Sequence, residues 1–242
     1  MNSDILILTV TAATIGFVHT LIGPDHYLPF IVMSKARKWS TFKTIWITAG
    51  CGLGHVLSSI VLGAIGVAFG IGLRKLELIE TIRGDWAARA FLIFGLGYMV
   101  WGLRRAYINK PHKHIHTHNG EVHIHEHNHD HTIDKLEVTP HKHQHQDKTT
   151  NLTPWILFLI FVLGPCEPLI PILMYPAAQA SVGGLIIVTT VFAIATVFTM
   201  LAIVLAVNYG VKFIKVGKLE RYTHAIAGGT IALSGILILI GL

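Results

Sequence analysis

Six long apolar segments limit what this chain can fold into more than any other feature of its sequence. Each is long enough to cross about 30 Å of hydrocarbon as a helix of about 20 residues. They cover approximately residues 5–33, 42–73, 87–106, 153–179, 183–210 and 222–241. Only 13% of the 242 residues are charged, whereas a soluble domain carries about 25%. The sequence therefore predicts an all-α integral membrane protein with six transmembrane helices.

The remaining composition excludes several other classes of protein. A formal charge of +6 can indicate a nucleic-acid partner, but here the basic residues flank apolar segments, where they orient helices in a membrane. Cys51 and Cys166 both lie inside apolar segments, which argues against a secreted disulfide framework. The first segment contains His19 and Asp25 and has no small-residue cleavage site, so we expect a retained helix and not a signal peptide.

Basic residues predict the orientation of the six helices. Fifteen of the nineteen lie in the first, third and fifth links between segments: Lys35, Arg37, Lys38, Lys43, Arg104, Arg105, Lys110, Lys113, Lys135, Lys142, Lys148, Lys212, Lys215, Lys218 and Arg221. The other four flank the second link, where acidic residues accompany them: Arg74, Lys75, Arg83 and Arg89. The positive-inside rule then predicts a multi-pass protein of the plasma (inner) membrane, with both termini outside.

A polar stretch at residues 107–152 separates the third and fourth segments and would lie in the cytoplasm. It holds twelve of the sixteen histidines: His112, His114, His116, His118, His123, His125, His127, His129, His131, His141, His143 and His145. Without apolar periodicity, we expect it to be disordered when no metal is bound. With Glu126 and Asp130 nearby, its histidines offer many shifting ligand sets. This pattern favours capture, buffering or sensing of metal over the transport step.

A short motif occurs twice, 141 residues apart. Gly-Pro-Asp-His-Tyr-Leu-Pro at residues 23–29 parallels Gly-Pro-Cys-Glu-Pro-Leu-Ile-Pro at 164–171. The spacing predicts a 3+3 inverted repeat, with repeats at 1–106 and 153–242 around the loop, and helices 1 and 4 broken at Gly-Pro. Matching Gly/Pro-interrupted helices are the sequence indication of a transport site near the bilayer midplane. Because the shared element is short, a chance match is the alternative.

The first of these motifs brings metal-ligating residue types into an apolar helix. Asp25 at the bilayer centre costs at least about 2.5–3.5 kcal/mol and so needs a partner. A divalent transition metal bound by Asp oxygen and His nitrogen would supply it. Unwinding at Gly-Pro would allow His19, Asp25 and His26 to converge on one ion. Alternatively, a His–Asp hydrogen bond only holds helices together.

The second and fifth segments add further polar residues. His55 lies in Gly-Cys-Gly-Leu-Gly-His, where small residues allow close helix contact, and we predict that it is a ligand. Adding the offset of 141 residues to His55 gives Thr196. We therefore expect Thr196, Thr199 and Ser58 to line the same cavity, although helical hydroxyls often bond only their own backbone.

The second motif offers a thiol and a carboxylate, Cys166 and Glu167. Beside imidazoles, these ligands suit nickel, cobalt, zinc or ferrous iron and do not suit magnesium. The alternative for Cys166 is a small apolar filler, and Cys51 fits that role better than the role of ligand.

These motifs resemble those of the nickel/cobalt transporter superfamily, especially its efflux-type branch and the related urease-accessory-like membrane proteins. Members carry a His/Asp motif in an early helix, a Gly-His motif in the next, and often a His-rich loop. Here the first is His19 with Asp25 and His26, and the second is Gly54-His55. This chain has five residues between His19 and Asp25, where the permease motif has four. The resemblance implies metal transport.

The Gly-Pro-Cys-Glu-Pro element is also similar to the Pro-Cys element of membrane thiol-disulfide carriers of the cytochrome-biogenesis type. Those six-span inverted-repeat proteins have one reactive cysteine in each half. Here Asp25 and His26 occupy the position of the first cysteine.

Together these features predict a transporter and not an enzyme, and transport is expected to be secondary because the chain has no ATP-binding motif. The expected substrate is nickel or cobalt, with zinc, iron or manganese as alternatives, and the cytoplasmic loop favours efflux. Two other hypotheses remain: an electron carrier using Cys51 and Cys166, and a membrane metal sensor that works through its loop. The expected partners are the metal ion and the lipid bilayer, and the sequence leaves the oligomeric state open.

Overall fold

The computed structural model describes residues 3–108, 112–118, 121–127, 152–166, 168–178, 181–211 and 217–241. Eight α-helices occur in this part of the chain: α1 (Ser3–Ile22), α2 (Leu28–Ala36), α3 (Thr41–Ala68), α4 (Leu73–Ile108), α5 (Thr153–Leu163), α6 (Leu169–Ala178), α7 (Val182–Val211) and α8 (Thr223–Leu239). Short 3-10 turns at Pro24–His26 and Gly217–Tyr222 precede α2 and α8. The apolar part of the chain is therefore all-helical, as predicted.

Five helices are long and apolar enough to cross a membrane. They lie at Ser3–Ile22, Thr41–Ala68, Leu73–Ile108, Val182–Gly210 and Glu220–Leu239. Many large apolar side chains on their outer faces are exposed, among them Trp46, Ile93 and Phe198. A soluble protein rarely exposes so much contiguous apolar surface, so the fold is compatible with a multi-pass membrane protein.

Both predicted helix breaks are present. α1 ends at Ile22, Gly23 is extended with φ −80° and ψ 95°, and Pro24 starts the 3-10 turn. α5 ends at Leu163, and Gly164 is also extended, with φ −59° and ψ 140°. The following proline has no amide hydrogen and its ring would clash with a preceding helical turn, so neither helix continues. Each apolar segment consequently forms two helices in place of one.

Two predicted segments differ from the observed helices. Segment 153–179 forms α5 and α6, of which α5 has 11 residues and α6 has 10. At about 1.5 Å per residue, neither crosses a bilayer alone. The third predicted segment, 87–106, corresponds to α4, which begins earlier, at Leu73. Glu80 and Arg83 therefore lie inside α4 and not in a link. An ion pair between them allows the helix to contain these charges.

Glycines allow the closest helix contact, between α4 and α8. A Cβ built on Gly95 would lie 2.7 Å from both the Cα of Ala232 and the carbonyl oxygen of Gly228. On the facing helix, a Cβ on Gly228 would overlap backbone atoms of Met99. Small residues let helix backbones approach so closely within an apolar medium. Helix α8, which also packs against α2, is thereby fixed to the helix that carries Glu80 and Arg83.

The His-rich loop contains two described strands, β1 (His112–His118) and β2 (Glu121–His127). They pair antiparallel, with His114 opposite His125 and His116 opposite His123. The prediction that the loop is disordered when no metal is bound stays a prediction. Histidine alternates there with Ile115, Thr117 and other residues of high β propensity, which gives the two-residue period of a strand. The rest of the loop lies outside the described residues.

We expect Gly95→Ala to destabilise the protein by about 1–3 kcal/mol, because the added methyl would overlap the α8 backbone. The matched control is Gly97→Ala in the same helix, where a Cβ meets no atom within 4 Å. This control should be neutral or stabilising by up to about 1 kcal/mol, since alanine favours the helix. Thermal unfolding in detergent measures both, and equal midpoints would contradict the close contact between α4 and α8.

Candidate metal centre

Three histidines converge where the first helix break meets α3. His19 lies in the last turn of α1, His26 in the 3-10 turn and His55 near the middle of α3. One ring nitrogen of each lies within 4.8 Å of the others. The His26 ring is 4.8 Å from the His19 ring and 5.1 Å from the His55 ring, centroid to centroid. The structure therefore brings together all three predicted imidazole ligands.

In two of these histidines, a hydrogen bond determines which ring nitrogen is available to bind a metal ion. The Nδ1 of His26 lies 3.2 Å from the carbonyl oxygen of Gly23, and the Nδ1 of His55 lies 3.3 Å from that of Phe161. Since a carbonyl only accepts, each Nδ1 must carry the hydrogen. In the neutral ring, Nε2 then keeps its lone pair. The Nε2 atoms of His19, His26 and His55 are buried and have no hydrogen-bond partner in the described structure.

This arrangement fits a transition-metal ion with little movement. Zinc and similar ions bind imidazole nitrogen at about 2.0–2.1 Å, which places the nitrogens of a tetrahedral site about 3.4 Å apart. Nitrogens at most 4.8 Å apart would each move inward by about 0.8 Å to reach that geometry. A small side-chain adjustment would therefore bring one nitrogen of each ring within ligand distance of a single ion.

Asp25 lies behind His26. Its Oδ1 is 3.2 Å from the Nδ1 of His26, and its side chain is 24% exposed. Metal-bound histidines commonly donate their second ring hydrogen to a carboxylate, which orients the ring and raises its basicity. In the described geometry, Asp25 fits this orienting role, and it does not belong to the group whose ligand atoms converge.

Both helix breaks line one cavity of about 370 Å³. The first break contributes Gly23, Asp25 and His26, and the second contributes Gly164, Pro165 and Pro168. Apolar walls come from Ala87, Phe91, Phe161 and Ile238. The two sequence motifs are thus 141 residues apart in the chain but adjacent in space.

The two cysteines lie in different apolar clusters. Cys51 packs in a cluster with Phe30 and Met200, and Cys166 packs in another with Val56 and Phe192. Both are buried. Cys166 lies at the second break but is not one of the residues whose ligand atoms converge, and Glu167 lies outside the described residues. The separate clusters favour packing roles over a redox pair.

Of the predicted cavity-lining hydroxyls, none is among the residues that line this cavity. Thr196 is buried against Gly16 of α1, where an added Cβ would lie 3.2 Å from the Oγ1 of Thr196. Thr199 donates to the carbonyl of Ala195 one turn earlier, at 2.7 Å. Ser58 donates to the carbonyl of His55 at 2.7 Å. In the described structure, the hydroxyls of Thr199 and Ser58 therefore donate to backbone carbonyls of their own helices.

The histidines predicted to capture metal are only partly described. His112, His114, His116, His118, His123, His125 and His127 lie on the two paired strands. His129, His131, His141, His143 and His145 lie outside the described residues.

An ion pair that the sequence did not predict holds the second break. Arg83 bonds Glu80 at 2.6 Å and donates to the carbonyls of Val162 at 2.8 Å and Gly164 at 3.3 Å. The second oxygen of Glu80 accepts the backbone N–H of Cys166 at 3.2 Å. The ion pair therefore supplies partners for backbone groups on both sides of the break, which a continuous helix would satisfy by itself.

The same ion pair is connected to the histidine cluster. Arg83 donates to the hydroxyl of Ser58 at 2.7 Å, and Ser58 in turn donates to the carbonyl of His55. Phe161, which accepts from the His55 ring, lies one residue before the Val162 carbonyl that Arg83 binds. Arg83 and Glu80 therefore help to position His55. A helical period could have indicated Glu80, because it shares one buried face of α4 with Leu76, Gly84, Ala87 and Phe91.

No protein-family model, curated protein sequence or solved structure matches this chain. What the centre can do chemically thus follows from its own donor atoms. Three imidazole nitrogens suit nickel, copper, zinc or iron, whereas magnesium and calcium require oxygen ligands.

We expect Glu80→Gln to destabilise the protein by about 3–5 kcal/mol, because it leaves the Arg83 charge without its buried counter-ion. The double variant Glu80→Leu with Arg83→Met should recover part of this loss, since both charges are then removed. The exposed pair of Asp85 and Arg89, 3.5 Å apart on the same helix, is the matched control, and Asp85→Asn should cost less than about 1 kcal/mol. Thermal unfolding in detergent measures all three, and equal costs for both pairs would contradict a structural role for Glu80.

Proposed function

We propose that this protein is a secondary transporter of a divalent transition-metal ion, with the ion bound by His19, His26 and His55. The observation that carries this proposal is the set of three buried Nε2 atoms without hydrogen-bond partners in the described structure. Leaving buried acceptors unsatisfied costs about 1–3 kcal/mol each, and a bound cation would remove this cost. A purely structural histidine cluster would gain nothing from burying three such atoms.

Nickel or cobalt is the substrate that we propose first. Imidazole ligands bind both ions well, and the His/Asp and Gly-His motifs resemble those of nickel/cobalt transporters. Zinc, iron and manganese belong to the same substrate class, since the affinity of nitrogen sites varies gradually across this series. Cys166 and Glu167 remain candidate ligands from the second break, and a thiolate there would favour the softer ions.

The two breaks provide the route for alternating access. In this proposal α5 and α6 together form the fourth of six spans, and the halves are related as an inverted repeat. Both Gly-Pro breaks border the same cavity, as expected if the ion binds between two broken helices. Movement of the two broken helices would then open the site to each side in turn. Protons compete with metal for imidazole nitrogen, so acid would favour release.

The proposed direction is efflux. With fifteen basic residues in the first, third and fifth links, the positive-inside rule places these links in the cytoplasm of an inner-membrane protein with both termini outside. The His-rich loop would then collect metal on the cytosolic side. Its paired strands bring histidine opposite histidine at the backbone positions 112/127, 114/125 and 116/123.

Transport of nickel into proteoliposomes that contain a metal-sensitive dye tests the proposed site. We expect His26→Ala and His55→Ala to lower flux by at least about tenfold, and Asp25→Asn, which removes only an orienting partner, by about 10–100-fold. The matched control is His224→Ala, because His224 is a partly buried histidine bonded to Tyr98 and absent from the cluster. If His26→Ala transports as fast as the wild type and His224→Ala, the cluster has no role in transport.

Deletion of residues 112–145 separates transport from sensing by the loop. We expect the shortened protein to keep a basal flux at saturating nickel, because the three converging histidines lie outside the deleted segment. Its flux should fall at low nickel concentration, because the supply of ions to the site then depends on their capture by the His-rich loop. Total loss of flux in a protein that still folds and elutes as the full-length chain does would instead favour a loop-driven metal sensor.

A further inference from the structure

A second and larger cavity, of about 950 Å³, lies at the other end of the helices. It is formed where α2, α4 and α7 end and where α3 and α8 begin, and His224 and Thr223 of α8 are among its lining residues. Ile238, at the far end of α8, lines the histidine cavity. The offset of fourteen positions from His224 to Ile238 corresponds to about 21 Å along the helix axis. The two cavities are therefore separate sites.

Positive charge dominates the described lining of this second cavity. The cationic residues are Lys35, Lys38, Arg105 and Arg221, and Glu220 is the acidic residue among those that line it. Glu220 is 4.0 Å from Lys38, and both side chains are largely exposed, so the pair neutralises little of the charge. Because like charges repel, this cavity suits an anion and not the proposed metal cation.

Buried hydrogen-bond donors at the same place lack acceptors. The indole Nε1 of Trp39, a lining residue, and the Nε of the adjacent Arg37 have no hydrogen-bond partner in the part of the chain that the structure describes. Arg37 itself packs over the rings of Tyr98 and Trp101. The cationic lining and the unpartnered Nε1 of Trp39 suit a ligand with several acceptor oxygens, and a phosphate group has this chemistry.

The position of the cavity indicates where the phosphate comes from. The cavity lies at the helix ends, and Tyr107 and Tyr209 at the same ends are exposed, as is typical of aromatic residues at the level of lipid headgroups. Basic pockets between transmembrane helices on the cytoplasmic side bind the headgroups of anionic lipids. We propose that this cavity binds the phosphate of an anionic phospholipid from the surrounding leaflet. The proposal does not depend on the proposed metal transport.

The test uses the full-length protein with phosphatidylglycerol and phosphatidylcholine in equal amounts. The pocket variant combines Lys35→Gln, Arg105→Gln and Arg221→Gln, and the control variant combines Arg74→Gln, Lys75→Gln and Arg89→Gln. The control removes three exposed cations from the first half of α4, outside the cavity lining. Native mass spectrometry after detergent extraction counts the retained lipids of each kind.

We expect wild type and the control variant to retain phosphatidylglycerol preferentially. Each cation near the surface contributes about a fivefold preference for anionic lipid. Because the pocket variant lacks three of these cations, its preference for phosphatidylglycerol should be at least about tenfold lower. A rescue variant with Lys35→Arg, Arg105→Lys and Arg221→Lys keeps the charges and should keep the preference. Equal retention by the pocket and control variants would overturn the proposal, and size-exclusion profiles identify any variant that misfolds.

Inorganic phosphate distinguishes the two sources of the ligand. We expect it to raise the unfolding temperature of delipidated wild type only at millimolar concentrations, and to have no such effect on the pocket variant. Phosphate stabilisation without any preference for phosphatidylglycerol would overturn the lipid assignment and identify the cavity as a site for a soluble anion.

Discussion

A helix that stops inside an apolar medium leaves backbone N–H and C=O groups that must find other partners. This protein meets the requirement twice, in different ways. At the first break, the chain uses its own backbone: Gly23 donates to His19, and His26 donates to Gly23. At the second break, Arg83 and Glu80 of another helix supply the partners for Val162, Gly164 and Cys166. The positions of both breaks, and of everything that lines them, depend on these bonds.

The histidine cluster is a consequence of this arrangement. His26 reaches the cluster because the 3-10 turn after Gly23 redirects the chain, and the Gly23 carbonyl also accepts from the His26 ring. His55 is oriented by the carbonyl of Phe161, close to the end of the helix that Arg83 holds. Carbonyls at or near the two breaks therefore accept the Nδ1 hydrogens of His26 and His55, and the Nε2 atoms of both rings keep no hydrogen-bond partner in the described structure. A substitution of Arg83 would therefore alter the position of His55 through the end of α5, without any direct contact between Arg83 and a metal ion.

Charge is separated along the axis of the fold. One cavity holds three histidines with an orienting carboxylate, and the other, about 21 Å away along α8, holds Lys35, Lys38, Arg105 and Arg221. Low-dielectric walls focus such fields and keep ligands of opposite charge apart. Helix α8 lines both cavities, and its close glycine contacts with α4 hold it in place. The two cavities therefore stay at a fixed separation.

The sequence by itself determined the helical plan, the two helix breaks and the three histidines that converge at the first of them. Apolar length, Gly-Pro and the rarity of histidine in apolar helices are local properties, and they need no knowledge of packing. Only the tertiary structure decided that Asp25 lies behind His26, and that Glu80 and Arg83 belong inside a helix as partners of the second break. A carboxylate can ligate, orient a ring or pair with a cation, and which of these it does depends on the atoms that other helices bring within about 3 Å of it.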